Sequence, residues 1–157
     1  MRTLVRLLIG ALFMSVSVLG TTAAHATNIG YEGCTPGYWK NHTTNWQETT
    51  PSTTFGTLYV DARANVAGLT LVQALQGGGG PGADGAATIL ARAATAAWLN
   101  AAHEGLGYPW RREAGGLDGR PKLVPTVNAA FASGDRDTML ALATRLDTDN
   151  NLGCPLN

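Results

Sequence analysis

The pair His103-Glu104 is the part of this 157-residue chain that comes closest to a catalytic motif. A zinc protease of the H-E-x-x-H type needs a second histidine four residues after the first, so that both imidazoles bind the metal from one helix face. Here Gly105, Leu106 and Gly107 follow, and no second histidine arrives. The sequence therefore predicts no such zinc site, and we interpret His103 as a structural residue stabilised near the end of a helix.

Nucleophilic catalysis has little support in the sequence. Beyond the first 26 residues the serines are Ser52 and Ser133, and neither lies in the G-x-S-x-G context of a hydrolase. Cysteine catalysis requires a free thiol, and a disulfide between Cys34 and Cys154 would remove both thiols. We therefore expect neither a serine nor a cysteine nucleophile.

Glutamates keep one enzymatic alternative open. A glycosidase or lytic enzyme uses one carboxyl group as acid and another as base or nucleophile, and such a pair is defined by its spatial separation rather than by its sequence spacing. The rival hypothesis is thus a small secreted hydrolytic enzyme built around Glu104 or Glu113. The glutamates considered for this role are Glu32, Glu48, Glu104 and Glu113.

The C-terminal segment contains a partial calcium-loop pattern. Asp147, Asp149 and Asn151 match positions 1, 3 and 5 of such a loop, but Gly153 falls at position 7 and the sequence contains no glutamate at position 12. Asp and Asn also favour turns and helix ends without any metal. We favour the turn and keep calcium as a weak alternative. Under that alternative the protein is a structural domain stabilised by the metal.

Aromatic and polar side chains are dense in GCTPGYWKNH, residues 33–42. Its rings could stack on sugars, although Trp39 is favoured as a core anchor because large aromatic residues supply much of a small core. The Gly-rich loop over residues 105–122 is a second candidate, since binding residues collect on surface loops. The possible binding surface predicted from both segments comprises Trp39, Lys40, Asn41, His42, Trp46, Tyr108, Trp110 and Arg111.

The first 26 residues predict export. MRTLVR is basic, LLIGALFMSVSVLG is apolar, and TTAAHA offers a small-residue cleavage site before Thr27. We expect a signal peptide at 1–26 and a single secreted, extracellular domain at 27–157, with a retained membrane anchor as the alternative. Removing Arg2 and Arg6 leaves nine basic and eleven acidic residues, a net charge of −2. This balance argues against nucleic acid as a partner, because phosphate binding needs clustered Lys and Arg.

An exported chain with two cysteines predicts one disulfide, Cys34–Cys154. Closing a loop of this length would remove about 4–5 kcal/mol of entropy from the unfolded chain. The alternative is a metal site made of both cysteines with His42 and His103, but the four residues lack a compact ligand spacing. We favour the disulfide.

The pattern between the cysteines is helical. Thr35-Pro36 predicts the start of a short helix over GYWKNH, and LTLVQALQ at 69–76 predicts another that ends at the glycines of 77–82. Asp84 is predicted to cap a long, buried, Ala-rich helix. TLYV at 57–60 is interpreted as a short extended piece.

Two further helices are predicted near the end of the chain, one starting near Pro125 and one capped by Asp135, with Gly134 between them. Together these patterns predict an all-α, compact domain of about four to five helices with its two ends joined by the disulfide.

The two ends also carry a family resemblance. CTPGYWKNH near the start, ATAAWLNAAHE in the middle and LDTDNNLGCPL at the end resemble a family of small secreted bacterial proteins and domains. The resemblance covers nearly all of residues 27–157. It implies export, joined ends and a helical middle, and it supplies no catalytic residues.

The function predicted from the sequence is a secreted, non-enzymatic binding or structural module that acts outside the cell. Its expected partner is an extracellular glycan, a matrix polymer or another protein. No membrane association is expected once the signal peptide is removed. No cofactor is expected, apart from the weak calcium alternative.

Overall fold

A computed structural model describes residues 31–103, 105–113 and 119–156. Within these residues it contains seven α-helices and one 3-10 helix, and no β-strand. The all-α prediction is confirmed, although four of the seven helices span only four to six residues. In chain order the helices are α1 (Pro36–Asn41), the 3-10 helix (Thr43–Asn45), α2 (Phe55–Leu58), α3 (Ala64–Ala67), α4 (Leu71–Gln76), α5 (Gly82–Ala102), α6 (Leu123–Ala132) and α7 (Arg136–Asn150).

Helix α5 is the centre of the molecule. It spans 21 residues, and most of its side chains are buried, because neighbours pack around nearly its whole circumference. Its many alanines have short side chains, so other helices can approach the backbone closely; the most extensive of these contacts is with α7. Aromatic side chains from elsewhere fill the remaining space, including Trp39, Phe55, Tyr59 and Phe131, each no more than 2% exposed.

Local signals set several helix boundaries as predicted. The Thr35 side chain accepts a hydrogen bond from the Tyr38 backbone N–H at 3.0 Å, with Pro36 at the first helical position. The Asp135 side chain accepts from the Thr138 N–H at 2.7 Å and caps α7. These bonds use backbone donors that a helix start leaves without intrahelical partners.

Two local predictions are wrong. Asp84 does not cap α5, which begins at Gly82; instead its carboxylate binds the Arg63 guanidinium at 2.9 Å and lies within the first helical turn. The segment 57–60 is not an extended piece, because residues Phe55–Leu58 form one helical turn whose Phe55 is buried against Tyr59 and Phe131. Burial of the aromatic ring there outweighs the weak strand propensity of the sequence.

The glycine-rich break before α5 has a steric reason. The chain folds back so tightly that a Cβ atom on Gly85 would lie 2.0 Å from the carbonyl oxygen of Gly80. Only glycine permits this approach of two backbone segments. The break therefore turns the chain sharply from α4 into α5.

None of the helices in the described ranges combines the length and the apolar character needed to cross a bilayer.

Candidate functional site

The two ends of the described chain meet beside the C-terminal half of α5. Cys34 and Cys154 form a disulfide across a sequence separation of 120 residues, which confirms the predicted pairing. Next to it, the Gly33 N–H donates to the Gly153 carbonyl at 3.0 Å. A Cβ atom on Gly33 would lie 2.1 Å from the Asp149 carbonyl oxygen, so the N-terminal segment runs in direct backbone contact with the end of α7.

Asn100, fully buried in α5, is the hydrogen-bonding centre of this junction. Its Oδ1 accepts from the Cys34 N–H at 2.8 Å and from the Trp39 indole N–H at 2.9 Å. Its Nδ2 donates to the Cys34 carbonyl at 2.9 Å and to Asn150 Oδ1 at 2.9 Å. An amide side chain can accept twice and donate twice, so Asn100 uses its full capacity.

Asn150 extends the network from α7. Its Oδ1 also accepts from the Tyr108 hydroxyl at 2.7 Å, and its Nδ2 donates to the Ala93 carbonyl at 3.0 Å. Burial, with the nearby Asp149 carboxylate adding to it, raises the pKa of Tyr108 well above its ordinary value, so the hydroxyl keeps its proton and donates. We call the Cys34–Cys154 disulfide and the hydrogen bonds of Asn100 and Asn150 the clasp.

Three aromatic residues of the predicted binding surface are buried at or beside the clasp, where Trp39 bonds to Asn100, Tyr108 to Asn150 and Trp110 to the neighbouring Asp149. Trp39 is fully buried, and Tyr108 and Trp110 are each 1% exposed. Trp110 donates its indole N–H to Asp149 at 2.7 Å, and the Arg145 guanidinium lies over its ring at 4.5 Å. The burial of Trp39 agrees with its favoured interpretation as a core anchor. Tyr108 and Trp110 were expected on a surface loop, and their burial corrects that expectation, because the phenol and the indole each have an internal hydrogen-bond partner.

Four other members of that surface are exposed: Lys40, Asn41, His42 and Arg111. His42 stacks on the Tyr38 ring with centroids 4.2 Å apart, and its Nδ1–H donates to the Tyr38 carbonyl at 2.9 Å. Trp46 is half-buried and donates its indole N–H to the Trp39 carbonyl at 3.0 Å. GCTPGYWKNH is thus divided, with its Cys and Trp inside the clasp and its Lys, Asn and His in solvent.

Beside the clasp, the end of α5 and the segment after it form an open cleft of about 280 Å³. The cleft is lined mostly by polar atoms, and the side chains that define it are His103, Leu106, Tyr108, Trp110, Arg111 and Arg120. Arg120 donates to the Tyr108 carbonyl at 2.9 Å. The Arg111 N–H donates to the Pro121 carbonyl at 3.0 Å and its carbonyl accepts from the Leu123 N–H at 2.7 Å, which fixes the backbone of the rim.

His103 is the exceptional side chain of the cleft. Its Nδ1 is buried and has no hydrogen-bond partner among the described residues. Burial lowers the pKa of His103 below its ordinary value, so the imidazole is neutral at pH 7. A neutral imidazole nitrogen can donate or accept according to its tautomer, and the buried Nδ1 of His103 does neither with any described residue.

The described glutamates are dispersed rather than paired. Glu32 accepts from the Gly107 N–H at 3.4 Å, Glu48 forms an ion pair with Arg112, and Glu113 is exposed. Glu104 lies outside the described residues. The hydrolase alternative built on Glu104 or Glu113 stays a prediction.

The two aspartates of the calcium pattern lie in a helix rather than in a loop. Asp147 and Asp149 lie in the last turn of α7, where positions two apart point to roughly opposite sides of a helix at about 100° per residue. Asp149 accepts from Trp110, and Asn151 donates its side-chain N–H to the Asp147 carbonyl at 2.7 Å. The described residues contain no group of three or more His, Cys, Asp or Glu that could hold a metal ion. The loop conformation that the calcium pattern implies is therefore absent at these positions.

Sequence reasoning missed Asn100 and Asn150. An asparagine inside an Ala-rich helix carries no local motif, and its partners lie 50 to 66 residues away. The signal that could have identified Asn100 is its polarity, since it is an amide within a segment that is otherwise predicted to be buried.

Scanned against protein-family models, curated proteins and solved structures, the chain matches none of them.

Proposed function

We propose that the protein is exported and acts outside the cell as a non-enzymatic module that binds an extracellular polymer or protein. The basic, apolar and small-residue segments of residues 1–26 support export. So does the disulfide, because such bonds form and persist mainly in oxidising compartments.

The observation that carries the binding function is the cleft beside the clasp. It is open and polar, and one of its lining residues, His103, has a buried imidazole nitrogen without a partner among the described residues. Buried polar atoms of a folded protein are nearly always hydrogen-bonded, so the unpaired Nδ1 of a residue that lines the cleft supports a binding role for this region. The adjoining clasp holds both ends of the chain and supplies a rigid support, which lowers the entropy lost on binding.

The non-enzymatic part of the proposal rests on how the reactive side chains are used. Both cysteines are joined, and the described glutamates are occupied or dispersed. The neutral His103 has no carboxylate or hydroxyl partner among the described residues that would make it half of a catalytic pair.

Cosedimentation with insoluble peptidoglycan, chitin and cellulose tests this function. The purified, oxidised protein is incubated with each polymer, and the supernatant is assayed for protein and for released sugar or peptide. We expect retention on at least one polymer without release. Release of soluble fragments would overturn the non-enzymatic assignment, and no retention on any of the three would remove these glycans as partners and leave a protein partner.

A further inference from the structure

The first described segment, residues 31–46, depends on the rest of the chain for its structure, and we call it the arm. Its Tyr31 N–H donates to the Gly107 carbonyl at 2.9 Å, and its Trp39 is fully buried with the indole bonded to Asn100. Its own secondary structure is the six-residue α1 and one turn of 3-10 helix. Isolated helices shorter than about 12–15 residues are marginal in water. The arm therefore keeps its conformation only while it lies against the other helices.

The surface of α5 under the arm is polar at its centre. Asn100 makes three of its four hydrogen bonds to the arm, two to Cys34 and one to Trp39. When the arm leaves, water can replace each of these bonds, so their net contribution to holding the arm is small. Burial of the Trp39 ring favours the closed position. The contact thus has two states in which its polar groups are satisfied, one closed and one hydrated.

The disulfide is the covalent part of this contact. Cys34 lies in the arm, and Cys154 follows the end of α7, 120 residues later. Without the bond, the arm is covalently joined to the other described helices only at its C-terminal end. With the bond, its other end is tied to α7 as well, which removes conformations in which the arm swings away. Proteins open locally as well as globally, and the bond acts on the local opening of the arm.

We propose that the arm and the Cys34–Cys154 disulfide form a redox-controlled strap, in which the arm of the reduced chain opens ahead of the other helices and oxidation locks it closed. Cys34 lies close behind the predicted cleavage site after Ala26. The part of the chain that reduction loosens is therefore the part next to the signal peptide, and it becomes fixed in the oxidising compartment. This inference goes beyond the proposed function and depends only on its export.

Closing the strap is a thiol–disulfide exchange with a donor disulfide, carried by an oxidoreductase or by a small molecule such as oxidised glutathione. One cysteine thiolate attacks a donor sulfur, forms a mixed disulfide and displaces the first donor thiolate. The other cysteine thiolate attacks the first cysteine's sulfur in that mixed disulfide, forms Cys34–Cys154 and displaces the second donor thiolate. Two electrons pass to the donor, and its two thiolates take up the two protons. Cys34 is fully buried in the closed strap, so the open arm is the form that reacts.

Amide hydrogen exchange followed by NMR tests the strap, with the oxidised protein compared with the same protein kept reduced by a phosphine. The Cys34 and Trp39 amides report on the arm, and the Ala94 and Leu99 amides report on the middle of α5. We expect reduction to accelerate exchange in the arm at least tenfold more than in α5. Oxidised glutathione added to the reduced protein should restore slow exchange in the arm.

Two variants separate opening of the arm from a general loss of stability. Cys154→Ser prevents the disulfide and leaves Cys34 in place with its bonds to Asn100, so in the presence of reductant it should exchange as the reduced wild type does. Phe131→Leu, made in the oxidised protein, is the control, because the Phe131 ring packs edge-on against Phe55 and belongs neither to the arm nor to the clasp. It should accelerate exchange in the arm and in α5 by similar factors.

Three results would overturn the strap. Equal acceleration in the arm and in α5 on reduction would mean that the disulfide stabilises the fold as a whole. Unchanged exchange in the arm would mean that the other contacts hold it without the bond. Loss of the native spectrum on reduction would mean that the helices do not stay folded without the disulfide. None of these results bears on the retention of the oxidised protein by polymers, which cosedimentation measures separately.

Discussion

Asn100 lies in the last turn of α5 and His103 is the residue that follows this helix, yet the polar atoms of the two side chains differ in their hydrogen bonding. Asn100 is fully buried and makes four hydrogen bonds, to Cys34 twice, to Trp39 and to Asn150. His103 has a buried nitrogen with no partner in the described part of the chain. Both residues line the same cleft.

The difference separates a fully hydrogen-bonded side chain of the clasp from a side chain beside it that has an unpaired nitrogen. In the folded protein, each polar atom of the Asn100 side chain exchanges its hydrogen bonds to water for internal ones, so the burial of this amide carries little net cost. At His103 that exchange is incomplete, and the cost of burying the unpaired nitrogen remains. Substitutions in the clasp should therefore lower the free energy of unfolding, whereas a substitution of His103 should leave it unchanged or raise it.

Breaking the disulfide should have the largest effect on the clasp. Cys34→Ser combined with Cys154→Ser opens the loop between them, and the free energy of unfolding should fall by about 4–5 kcal/mol from the entropy regained by the unfolded chain. Urea unfolding of the oxidised protein and of the double variant measures this decrease. A decrease below about 1 kcal/mol would mean that the hydrogen bonds alone hold the ends together.

Removing the Asn100 side chain should be the next largest effect. Asn100→Ala leaves the Cys34 backbone groups and the Trp39 indole without partners, and each buried unpaired group costs roughly 1–3 kcal/mol. Because water entering the space recovers part of this, we expect the free energy of unfolding to fall by about 3 kcal/mol. Asn41→Ala, which removes an exposed amide from α1, is the control and should change it by less than about 0.5 kcal/mol. Equal effects of both variants would contradict the central role of Asn100.

Substitution of Gly33, which lies in backbone contact with the end of α7, should have a smaller effect on stability. Gly33→Ala drives a methyl group into the Asp149 carbonyl, and separating two backbone segments should lower the free energy of unfolding by about 2 kcal/mol. Gly37→Ala has its nearest contact at 3.6 Å and lies inside α1, where alanine favours the helix, so it should stabilise the protein by about 0.5 kcal/mol. Thermal melts of the two variants should shift in opposite directions. A shift of the same sign would show that the space beside Gly33 can relax.

Local signals made the helices predictable. Thr35-Pro36 and Asp135 indicated helix starts because capping involves residues at most three apart, and the structure has both caps. The capping box of α4, in which Thr70 and Gln73 exchange hydrogen bonds, was equally local but was overlooked. Asp84 misled the prediction because Arg63, which lies 21 residues earlier, takes its carboxylate instead.

The clasp and the cleft were less predictable, because their contacts join distant parts of the chain. Cysteine count and export predicted the disulfide, but nothing in the sequence places Asn100 between Cys34 and Asn150. Tyr108 and Trp110 lie in a stretch rich in Gly and Pro, which predicts a surface loop. Both rings are nevertheless buried, because Tyr108 hydrogen-bonds to Asn150 and Trp110 to Asp149 of α7. Pairings of this kind depend on tertiary packing, and a single sequence does not show which distant residues will meet.

The last and smallest effect belongs to His103. Burial lowers its pKa in the folded protein, so between the ordinary histidine pKa near 6.5 and the lowered value the unfolded chain binds more protons. The contribution of His103 to stability is therefore unchanged above that window and falls as the pH falls through it.

His103→Phe removes both the titration and the unpaired nitrogen. We expect a free energy of unfolding equal to the wild type at pH 7.5, or higher by up to about 1 kcal/mol, and a shallower decrease between pH 6.5 and 5. Urea unfolding across this pH range measures both quantities, with His42→Phe as the control for removing an exposed imidazole. A marked decrease of stability at pH 7.5 would show that His103 is a bonded part of the clasp, and the contrast with Asn100 would then disappear.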